Sequence, residues 1–473
     1  NTGDLGYAGI RFIDTFGGMT FTDVVLVSNT ISHFDRGMVI GNPTSVGSSL
    51  EAEILSNTVF ENEVGILVQY DAILQNSVHF NNIVDNSNFG INNVGSTSVN
   101  ATINWWGDAS GPYHSTNPTG LGDPVSNNVV FTNWLETVWN NTAWVDDNYD
   151  NATPGWGIDH FNTTTDGINA VFDQGFVNLN PGTYAELLTI DKPLTLQAKY
   201  LYTDSTVITD EEATYSEFNA VNGQTIQIES NDVTIHGLKI KRVNDGSLDT
   251  VAAVGNNNYP YLYNITLTNC SIQSIYDGVY LNHVENVILC NNSNITSDQS
   301  GVHFNVVNAS IIKQNHFDNI DTTGITCSHC ADMDIINNTF AHKLIDAVTI
   351  TSCDTVIITD CLFENNTNGV FIADSININI SDSNFTENLN GIRLFGLSIA
   401  SIENNSFFNN TWNITHAAQV ENYKYYGSIQ NAILHAGLGN NIYLYHGTYY
   451  ENVIIDKKIS LKGFNPSHEV IID

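Results

Sequence analysis

Residues 346–395 read DAVTITSCDTVIITDCLFENNTNGVFIADSININISDSNFTENLNGIRLF, and one pattern recurs through this stretch. A small residue followed by an apolar one stands at Ala347, Gly369 and Gly391, so the spacing is 22 residues. After each of these positions, apolar residues alternate with polar or mixed ones. Alternation with a period of two places successive side chains on opposite faces, which predicts a β-strand. Short strands at a constant interval predict a solenoid.

The pattern extends over residues 268–415 with a period of 22–23 residues. Two columns of apolar positions repeat in register along these coils. The first is Leu281, Phe304, Cys327, Ile350, Ile372 and Leu394, and the second is Ile272, Ile295, Phe317, Phe340, Phe363, Phe385 and Phe407. Similar residues stacked at a fixed period are typical of parallel strands that lie on one another. The predicted fold class is therefore all-β, a right-handed parallel β-helix.

A polar column precedes the aromatic one by two residues, at Cys270, Ser293, Asn315, Asn338, Cys361, Ser383 and Asn405. By alternation these side chains point inward at a turn. Stacked Asn side chains can hydrogen-bond to one another along the axis and so satisfy buried amides.

A longer repeat overlies the short one. Residues 182–196 read GTYAELLTIDKPLTL and residues 447–461 read GTYYENVIIDKKISL, at an offset of 265. Short helices near 166–172 and 428–435 are predicted to cap a solenoid start before each of them. We therefore predict three parts: a β-helix at 1–142 that lacks its N-terminal start and has a Trp- and Gly-rich C-terminal cap, a complete β-helix at 143–423, and the unfinished start of a further β-helix at 424–473.

The open ends of a solenoid are sheet edges that pair readily with another chain. We expect residues 424–473 of one copy to stack on about residues 1–40 of the next, with Ile471 continuing the column of Ile10 and Phe12. The predicted role is an extracellular structural protein that assembles head-to-tail into a filament, tube, sheath or surface layer. Two alternatives stay open: a segment of a longer polypeptide, in which this contact is intramolecular, and a monomeric adhesin.

At GTYAELLTIDKPLTL and GTYYENVIIDKKISL the chain resembles the parallel β-helix repeat superfamily of secreted and surface proteins, whose superfold is that of pectate lyases. The segment VDDNYDNATPGWGIDHF at 145–161 and the closure NWWGDASGP at 104–112 resemble archaeal cell-surface β-helix proteins. The resemblance implies the fold and a cell-surface location. It implies little about activity, because this fold supports lyases, hydrolases, adhesins and structural proteins.

The charge of the chain limits its partners. Lys plus Arg number 14 against 50 Asp plus Glu, which gives a formal net charge of −36. Such a surface repels nucleic acids, anionic membranes and acidic polysaccharides, whereas neutral glycans and divalent cations are compatible with it. The sequence contains no apolar stretch of 18 residues, so no membrane span is predicted.

The sequence predicts no catalytic site and no enzyme. Arg393 lies on an outward strand position without an evident basic cluster and is interpreted as a solvated surface residue. Clustered carboxylates, as glycoside hydrolases need, are not seen on the repeat strands. The alternative is a carbohydrate-binding adhesin or a carbohydrate-active lyase or hydrolase, in which exposed aromatics such as Tyr280 and Phe371 stack on sugars.

Two further sites are predicted. Asp146, Asp147 and Asp150 form an oxygen-rich segment that is a candidate for structural Ca²⁺, the alternative being a polar turn between domains. No other cofactor is expected. Cys330 and Cys353 stand one period apart in adjacent coils, which makes them the candidate pair for a disulfide.

Sixteen Asn-x-Ser/Thr sequons predict a secreted, N-glycosylated surface, the alternative being Asn and Thr used as turn residues. They are at Asn100, Asn140, Asn151, Asn162, Asn264, Asn269, Asn291, Asn294, Asn308, Asn337, Asn365, Asn379, Asn384, Asn404, Asn409 and Asn413.

We expect the protein from its native source to be heavier than the 52.0 kDa of the bare chain, because several of these sequons carry N-linked glycans. Intact mass spectrometry before and after enzymatic deglycosylation measures this. Asn337→Gln and Thr339→Ala break the same sequon in different ways, and both should remove the same glycopeptide. A native mass equal to that of the bare chain contradicts the prediction.

Overall fold

A computed structural model describes residues 8–473 except 15, 75–77, 200–205, 210–223, 243–251, 257–260, 293, 343, 422–423 and 466–468. The chain forms two compact units, Asn1–Thr142 and Ala143–Asp473, called the N-terminal and C-terminal units. Residues 424–473 fall within the C-terminal unit, where they supply most of a small hydrophobic core that also includes Ala418 and Val420. No helix in the described part of the chain is long and apolar enough to span a membrane.

The N-terminal unit consists of short strands in which each coil pairs in parallel with the next. Three strand positions recur along the coils. They are called first, second and third, and in the first described coil they are β1, β2 and β3. The strands are β1 Ala8–Phe12, β2 Thr20–Val27, β3 Thr30–Ser32, β4 Arg36–Ile40, β5 Ser49–Leu55, β6 Thr58–Phe60, β7 Val64–Val68, β8 Ala72–Ile73, β9 Val78–His79, β10 Asn82–Val84, β11 Phe89–Asn93, β12 Val99–Asn100 and β13 Val129–Val130.

The C-terminal unit contains the short helices α1, Thr164–Ala170, and α2, Ile429–His435. Its first strands are β14 Thr142–Val145, β15 His160–Phe161, β16 Gly175–Leu179, β17 Gly182–Ala185, β18 Leu188–Ile190, β19 Leu194–Ala198, β20 Thr206–Thr209, β21 Ile226–Ile228, β22 Val233–His236, β23 Lys239–Arg242, β24 Val254–Gly255, β25 Leu262–Thr268, β26 Ser271–Ser274, β27 Val279–Cys290, β28 Asn294–Ser297 and β29 Ser300–Lys313.

The remaining strands complete the coils and the C-terminal segment. They are β30 His316–Ile320, β31 Thr323–Ser328, β32 Ala331–Ile336, β33 Thr339–Ala341, β34 Asp346–Thr351, β35 Asp354–Thr359, β36 Leu362–Glu364, β37 Asn368–Ala373, β38 Ile376–Ser381, β39 Asn384–Thr386, β40 Asn390–Phe395, β41 Ile399–Glu403, β42 Ser406–Phe408, β43 Trp412–Thr415, β44 Ala418–Glu421, β45 Lys424–Tyr426, β46 Asn441–Leu444, β47 Gly447–Tyr449, β48 Ser460–Gly463 and β49 Val470–Ile472.

The strand register confirms the predicted β-helix. The apolar column runs through successive coils as direct register partners, for example Val348 with Val370 and Val370 with Ile392. Among the described residues of the C-terminal unit, first and second strands join in one 24-stranded sheet, and the third strands from β17 to β42 form a 10-stranded sheet. The small-residue column follows from close packing, because a Cβ on Gly369 would lie 2.5 Å from the carbonyl oxygen of Gly391.

The aromatic column forms a continuous stack. The rings from Phe317 to Phe407 lie nearly parallel, with centroids 4.6–5.1 Å apart. This distance follows the roughly 4.8 Å spacing of the strands that carry the rings. Phe340, Phe363 and Phe385 are completely buried. The stack is therefore a core element whose geometry the backbone dictates.

The inner polar column is a hydrogen-bonded ladder, with one correction. The backbone N–H of Cys270 donates to Asn292 Oδ1 (2.9 Å), and Asn292 donates in the same way to Asn315. The rung is therefore Asn292, whereas Ser293, which was predicted to occupy it, lies outside the described residues. A second turn has a corresponding ladder, in which the Asn366 N–H donates to Asn388 Oδ1.

Parallel pairing ends at the junction with residues 424–473. There β44 pairs antiparallel with both β45 and β46. This reversal brings the backbone of His446 against the last coil, where its carbonyl accepts a hydrogen bond from the His416 N–H (2.9 Å). Sequence periodicity gave no sign of it.

The expected continuation from Ile471 into the column of Ile10 and Phe12 is wrong. Ile471 belongs to β49, which pairs with β47 in the third strand position of its coil. Ile10 and Phe12 belong to β1, which occupies the first strand position. The head-to-tail contact itself involves a second copy and stays a prediction.

A buried acid ends one ladder of the N-terminal unit. The backbone N–H of Asn62 donates to Asn86 Oδ1. Asn86 in turn donates to Asp123 Oδ2 through both its backbone N–H and its Nδ2. Asp123 thus occupies an Asn position and is 8% exposed. Burial is the main cause that raises the pKa of its carboxyl from 3.8 to about 6.

Asp123→Asn should stabilise the protein above about pH 6, by roughly 1–3 kcal/mol, because an amide accepts the same hydrogen bonds without a buried charge. A carboxyl whose folded pKa is raised contributes stability below its unfolded pKa and loses it as the pH rises through about 6. The gain should therefore disappear below about pH 4. Urea unfolding followed by tryptophan fluorescence at both pH extremes measures it.

Asp35→Asn is the matched control, because Asp35 is an exposed acid of the same unit. Its effect should stay within about 0.5 kcal/mol at either pH. An equal effect of the two substitutions at high pH contradicts the role assigned to Asp123.

Candidate functional site

Seven outward positions form a continuous strip across the first strands of the C-terminal unit. Each is the register partner of the next, so successive side chains stand roughly 4.8 Å apart along the axis. This aromatic strip consists of Tyr280, His303, Thr326, Thr349, Phe371, Arg393 and Thr415. Six of the seven side chains are half-buried and Thr415 is buried, and the residue types vary from coil to coil because none of these positions belongs to a core column.

Arg393 is not the solvated residue that the sequence predicted. It is half-buried, and its guanidinium carbon lies 5.7 Å from the centre of the Phe371 ring. Its Nε is buried and has no hydrogen-bond partner among the described residues. No carboxylate in the described part of the chain lies within salt-bridge distance of it. A cation on an aromatic ring, without a counter-ion, is available to an acceptor from outside.

Two more unpaired polar atoms lie next to Arg393. Thr415, its register partner, is 1% exposed, and its Oγ1 has no partner among the described residues. The adjacent His416 likewise has a buried Nδ1 without a partner. Burial of the ring, followed by electrostatic interactions with Arg393 and His446, lowers the pKa of His416 to about 4. The imidazole is therefore neutral at physiological pH.

A second row of side chains runs beside the strip. Asn390 Nδ2 donates to Asn368 Oδ1 (2.8 Å), and Asn368 Nδ2 donates to Asp346 Oδ1 (2.5 Å). Trp412 is the register partner of Asn390 and continues this row with an indole. The Trp412 ring stacks on His446 at 3.9 Å between centroids. The end of the strip thus combines amides, two aromatic rings and a guanidinium.

The other end of the strip holds a carboxylate, an imidazole and a phenol. His303 Nδ1 lies 3.3 Å from Oδ2 of Asp277, which is 5% exposed. The rings of His303 and Tyr280 meet edge to face at 5.0 Å. Burial, followed by the charge of Asp277, raises the pKa of Tyr280. A carboxylate that orients an imidazole beside a protonated phenol is a set of groups able to transfer protons to and from a bound molecule.

Of the three predicted calcium ligands, Asp146 and Asp147 lie close together because both accept from Asn148 Nδ2, whereas Asp150 accepts from a different turn. Asp146 Oδ1 accepts hydrogen bonds from Asn148, and Asp150 Oδ1 accepts from the Ala152 N–H. Asp147 Oδ1 also accepts from Asn148 Nδ2. Within the described residues, no three acidic, His or Cys side chains are grouped so as to hold a metal ion. These carboxylates organise turns, and a calcium site here stays a prediction.

The structure contradicts the predicted disulfide between Cys330 and Cys353, because all six cysteines are free. The Cys330 N–H donates to Cys353 Sγ (3.3 Å), as an Asn ladder would arrange it. Each thiol in turn donates to a backbone carbonyl two residues earlier. Cys therefore replaces Asn or Ser as a ladder acceptor, and this geometry satisfies both thiols.

The sequons lie where glycans can be carried. Of the 15 whose side chains are described, none is buried, and ten are exposed. The exposed ones are Asn140, Asn151, Asn162, Asn291, Asn337, Asn365, Asn384, Asn404, Asn409 and Asn413. Asn337 and Asn404 stand directly before buried or half-buried ladder residues, so glycans there would project from a turn.

Sequence reasoning named Tyr280, Phe371 and Arg393 but missed their neighbours. Trp412 shares a register column with Asn368 and Asn390, so reading that column to its end would have found it. His446 gave no such signal, because only the antiparallel junction brings it to the last coil.

Residues 251–407 match the family model described as "Right handed beta helix region". This agrees with the strand register of the same coils and confirms the predicted handedness. No curated protein matches the chain.

Several solved structures are similar to the chain. The A-module of mannuronan C-5 epimerase AlgE6 from Azotobacter vinelandii has 13% identity and a TM-score of 0.43, over 65% of this chain and 90% of that one. Pectin methylesterase PemA from Erwinia chrysanthemi has 12% identity and a TM-score of 0.29, over 53% and 80%. Tailspike protein 2 from Escherichia coli O157:H7 bacteriophage CAB120 has 12% identity and a TM-score of 0.33, over 59% and 43%.

These similarities correct the prediction that the chain is not an enzyme. The epimerase and the methylesterase are enzymes by name, so the fold gives no ground for excluding catalysis. Identities of 12–13% do not assign an activity to this chain either.

We expect the native thiols to resist alkylation, because burial raises the pKa of Cys270 and of Cys361 to about 11 and so disfavours the reactive thiolate. Iodoacetamide followed by mass spectrometry should find little modification of the folded protein. After unfolding without reductant, all six thiols should react. Finding only four reactive thiols would show that one pair is a disulfide after all.

Proposed function

We propose that this protein is an extracellular β-helix that binds neutral glycans along the aromatic strip. The observation that carries the proposal is the Arg393 guanidinium, which lies over Phe371 on an outward face without a carboxylate partner among the described residues. A chain with a net charge of −36 has many carboxylates that could neutralise this cation. Because no described carboxylate pairs with the Arg393 guanidinium, its N–H groups are available to a ligand.

The chemistry of the strip suits a sugar. One face of a pyranose ring carries C–H groups that pack against aromatic rings, and its rim carries hydroxyls that need donors and acceptors. Phe371 in the strip and Trp412 in the row beside it supply rings, and Arg393 supplies N–H donors. Few oriented polar groups among aromatic side chains are typical of ligand sites. The regular interval between coils supports a chain of sugars lying along the axis.

The charge of the protein favours neutral glycans over acidic ones. A net charge of −36 repels polyanions at long range, and a single guanidinium does not reverse that. An extracellular location is supported by the exposed sequons. We also propose that the protein is of the archaeal cell-surface type, because segments 104–112 and 145–161 resemble such proteins.

Phe371→Ala should lower the affinity for the bound glycan about tenfold, which corresponds to about 1.4 kcal/mol. It removes both the stacking surface and the ring that holds Arg393 in place. A screen of neutral oligosaccharides on an array, followed by titration calorimetry of the best ligand, measures the effect.

Phe408→Ala is the matched control, because Phe408 is 61% exposed on β42, in the other sheet. It should leave the affinity unchanged. Absence of binding to every neutral glycan, or an equal loss in both variants, contradicts the proposal. The same mixtures are to be analysed for products, and turnover that His303→Gln abolishes would extend the function from binding to catalysis.

A further inference from the structure

We propose that Arg393 and Thr415, at one end of the aromatic strip, bind a single carboxylate, carried either by an otherwise neutral glycan or by a small organic acid. These two residues are called the carboxylate site. The proposal deepens the function proposed above, because it names the one charged group that a bound glycan presents at this end. Its sugar form rests on that function, whereas the carboxylate site itself does not.

Arg393 is a half-buried cation without an internal counter-ion. Its guanidinium carbon lies 5.7 Å from the centre of the Phe371 ring, and none of the described carboxylates is within salt-bridge distance. Asp346, in the row beside the strip, lies two coils away. Both of its carboxylate oxygens already accept hydrogen bonds, one from Asn368 and one from Thr349. A cation that has lost part of its hydration is stabilised by an anion from outside.

A buried hydroxyl beside Arg393 indicates the same kind of ligand. Thr415 is the register partner of Arg393 in the next coil, so the two side chains leave one face of the sheet roughly 4.8 Å apart. Thr415 is 1% exposed, and its Oγ1 has no partner among the described residues. Buried hydroxyls in proteins are almost always hydrogen-bonded. An oxygen acceptor held by Arg393 therefore also satisfies the hydroxyl of Thr415.

The local charge fits a monoanion. His416 follows Thr415 and is held in place by its backbone N–H, which donates to the His446 carbonyl (2.9 Å). Burial lowers the pKa of His416 to about 4, so its ring adds no charge at neutral pH. The planar fork of a guanidinium matches the two oxygens of a carboxylate. A dianion such as a phosphate monoester is repelled more strongly by a chain of net charge −36.

Aromatic rings flank the carboxylate site. Phe371 lies one coil before Arg393, and Trp412 precedes Thr415 on the same strand, β43. A pyranose that stacks on either ring has its substituents within one coil of Arg393, so one acidic sugar can use a ring and the guanidinium together. All of these side chains stand on paired strands, which hold a binding site more rigidly than loops do.

A matched pair of ligands tests the proposal. Methyl β-D-glucuronide has a carboxylate where methyl β-D-glucoside has a hydroxymethyl group, and the two are otherwise identical. Titration calorimetry at neutral pH should find the glucuronide bound at least about tenfold more tightly. Sodium acetate, titrated in competition, distinguishes the two sources of the carboxylate. Acetate that binds as tightly as the glucuronide assigns the site to a small organic acid, and weaker acetate assigns it to an acidic sugar.

Arg393→Gln should abolish the preference for the glucuronide, because an amide has no charge to pair with the carboxylate. Thr415→Val should lower the glucuronide affinity about threefold, yet leave the unfolding temperature of the unliganded protein unchanged, because Oγ1 has no described partner to lose. Thr415 also completes the sequon at Asn413, so all variants are produced in a host that adds no N-glycans. Lys313→Gln is the matched control: it removes a half-buried cation from the same sheet and should keep the preference.

A glucuronide that binds no more tightly than the glucoside overturns the proposal. An equal loss of preference in Arg393→Gln and Lys313→Gln overturns it as well, because overall charge would then explain the effect. Neutral oligosaccharides that bind while the carboxylate adds nothing leave glycan binding intact and remove the carboxylate site alone. Conversely, glucuronide or acetate binding that Arg393→Gln abolishes, without binding of any neutral glycan, supports the carboxylate site and contradicts the proposed glycan binding.

Discussion

Every coil of this protein must hydrogen-bond to its neighbours in parallel register, at a spacing of roughly 4.8 Å. Side chains at equivalent positions therefore stack directly on one another, and each column accepts only residues that tolerate such a stack. Phenylalanine rings meet this condition at 4.6–5.1 Å between centroids. The small-residue column meets it by leaving room for the carbonyl of the next coil, as at Gly369.

The turns obey the same constraint with polar groups. Each rung needs an acceptor for the N–H of the coil before it, and Asn, Ser and Cys all provide one. This explains why buried thiols stand where amides stand in other coils. It also explains why Asp123 lowers the free energy of unfolding at high pH, because its carboxylate takes the acceptor role but carries a buried charge.

The candidate functional residues stand at outward positions, where stacking between coils does not restrict the type of side chain. Outward side chains belong to neither the core columns nor the ladders, so their types vary along the axis and they can form a site. The aromatic strip is such a set, with an Asp277–His303 pair at one end and Arg393 over Phe371 at the other. The periodic backbone thus carries outward side chains of varied type, and these side chains are the candidates for binding a ligand.

The sequence by itself determined the fold, the coil period, the two capping helices and most core columns, because periodic residue types report directly on a periodic backbone. It also identified Tyr280, Phe371 and Arg393 as outward residues. The predicted polar column was one residue out of place at Asn292, because Asn292 and Ser293 are adjacent and both residue types occur in such ladders. Only the tertiary structure decided that Cys353 accepts the Cys330 N–H as a ladder rung, that Arg393 lies over Phe371, and that His446 packs on Trp412. Those contacts depend on side-chain direction and on an antiparallel reversal, neither of which leaves a period in the sequence.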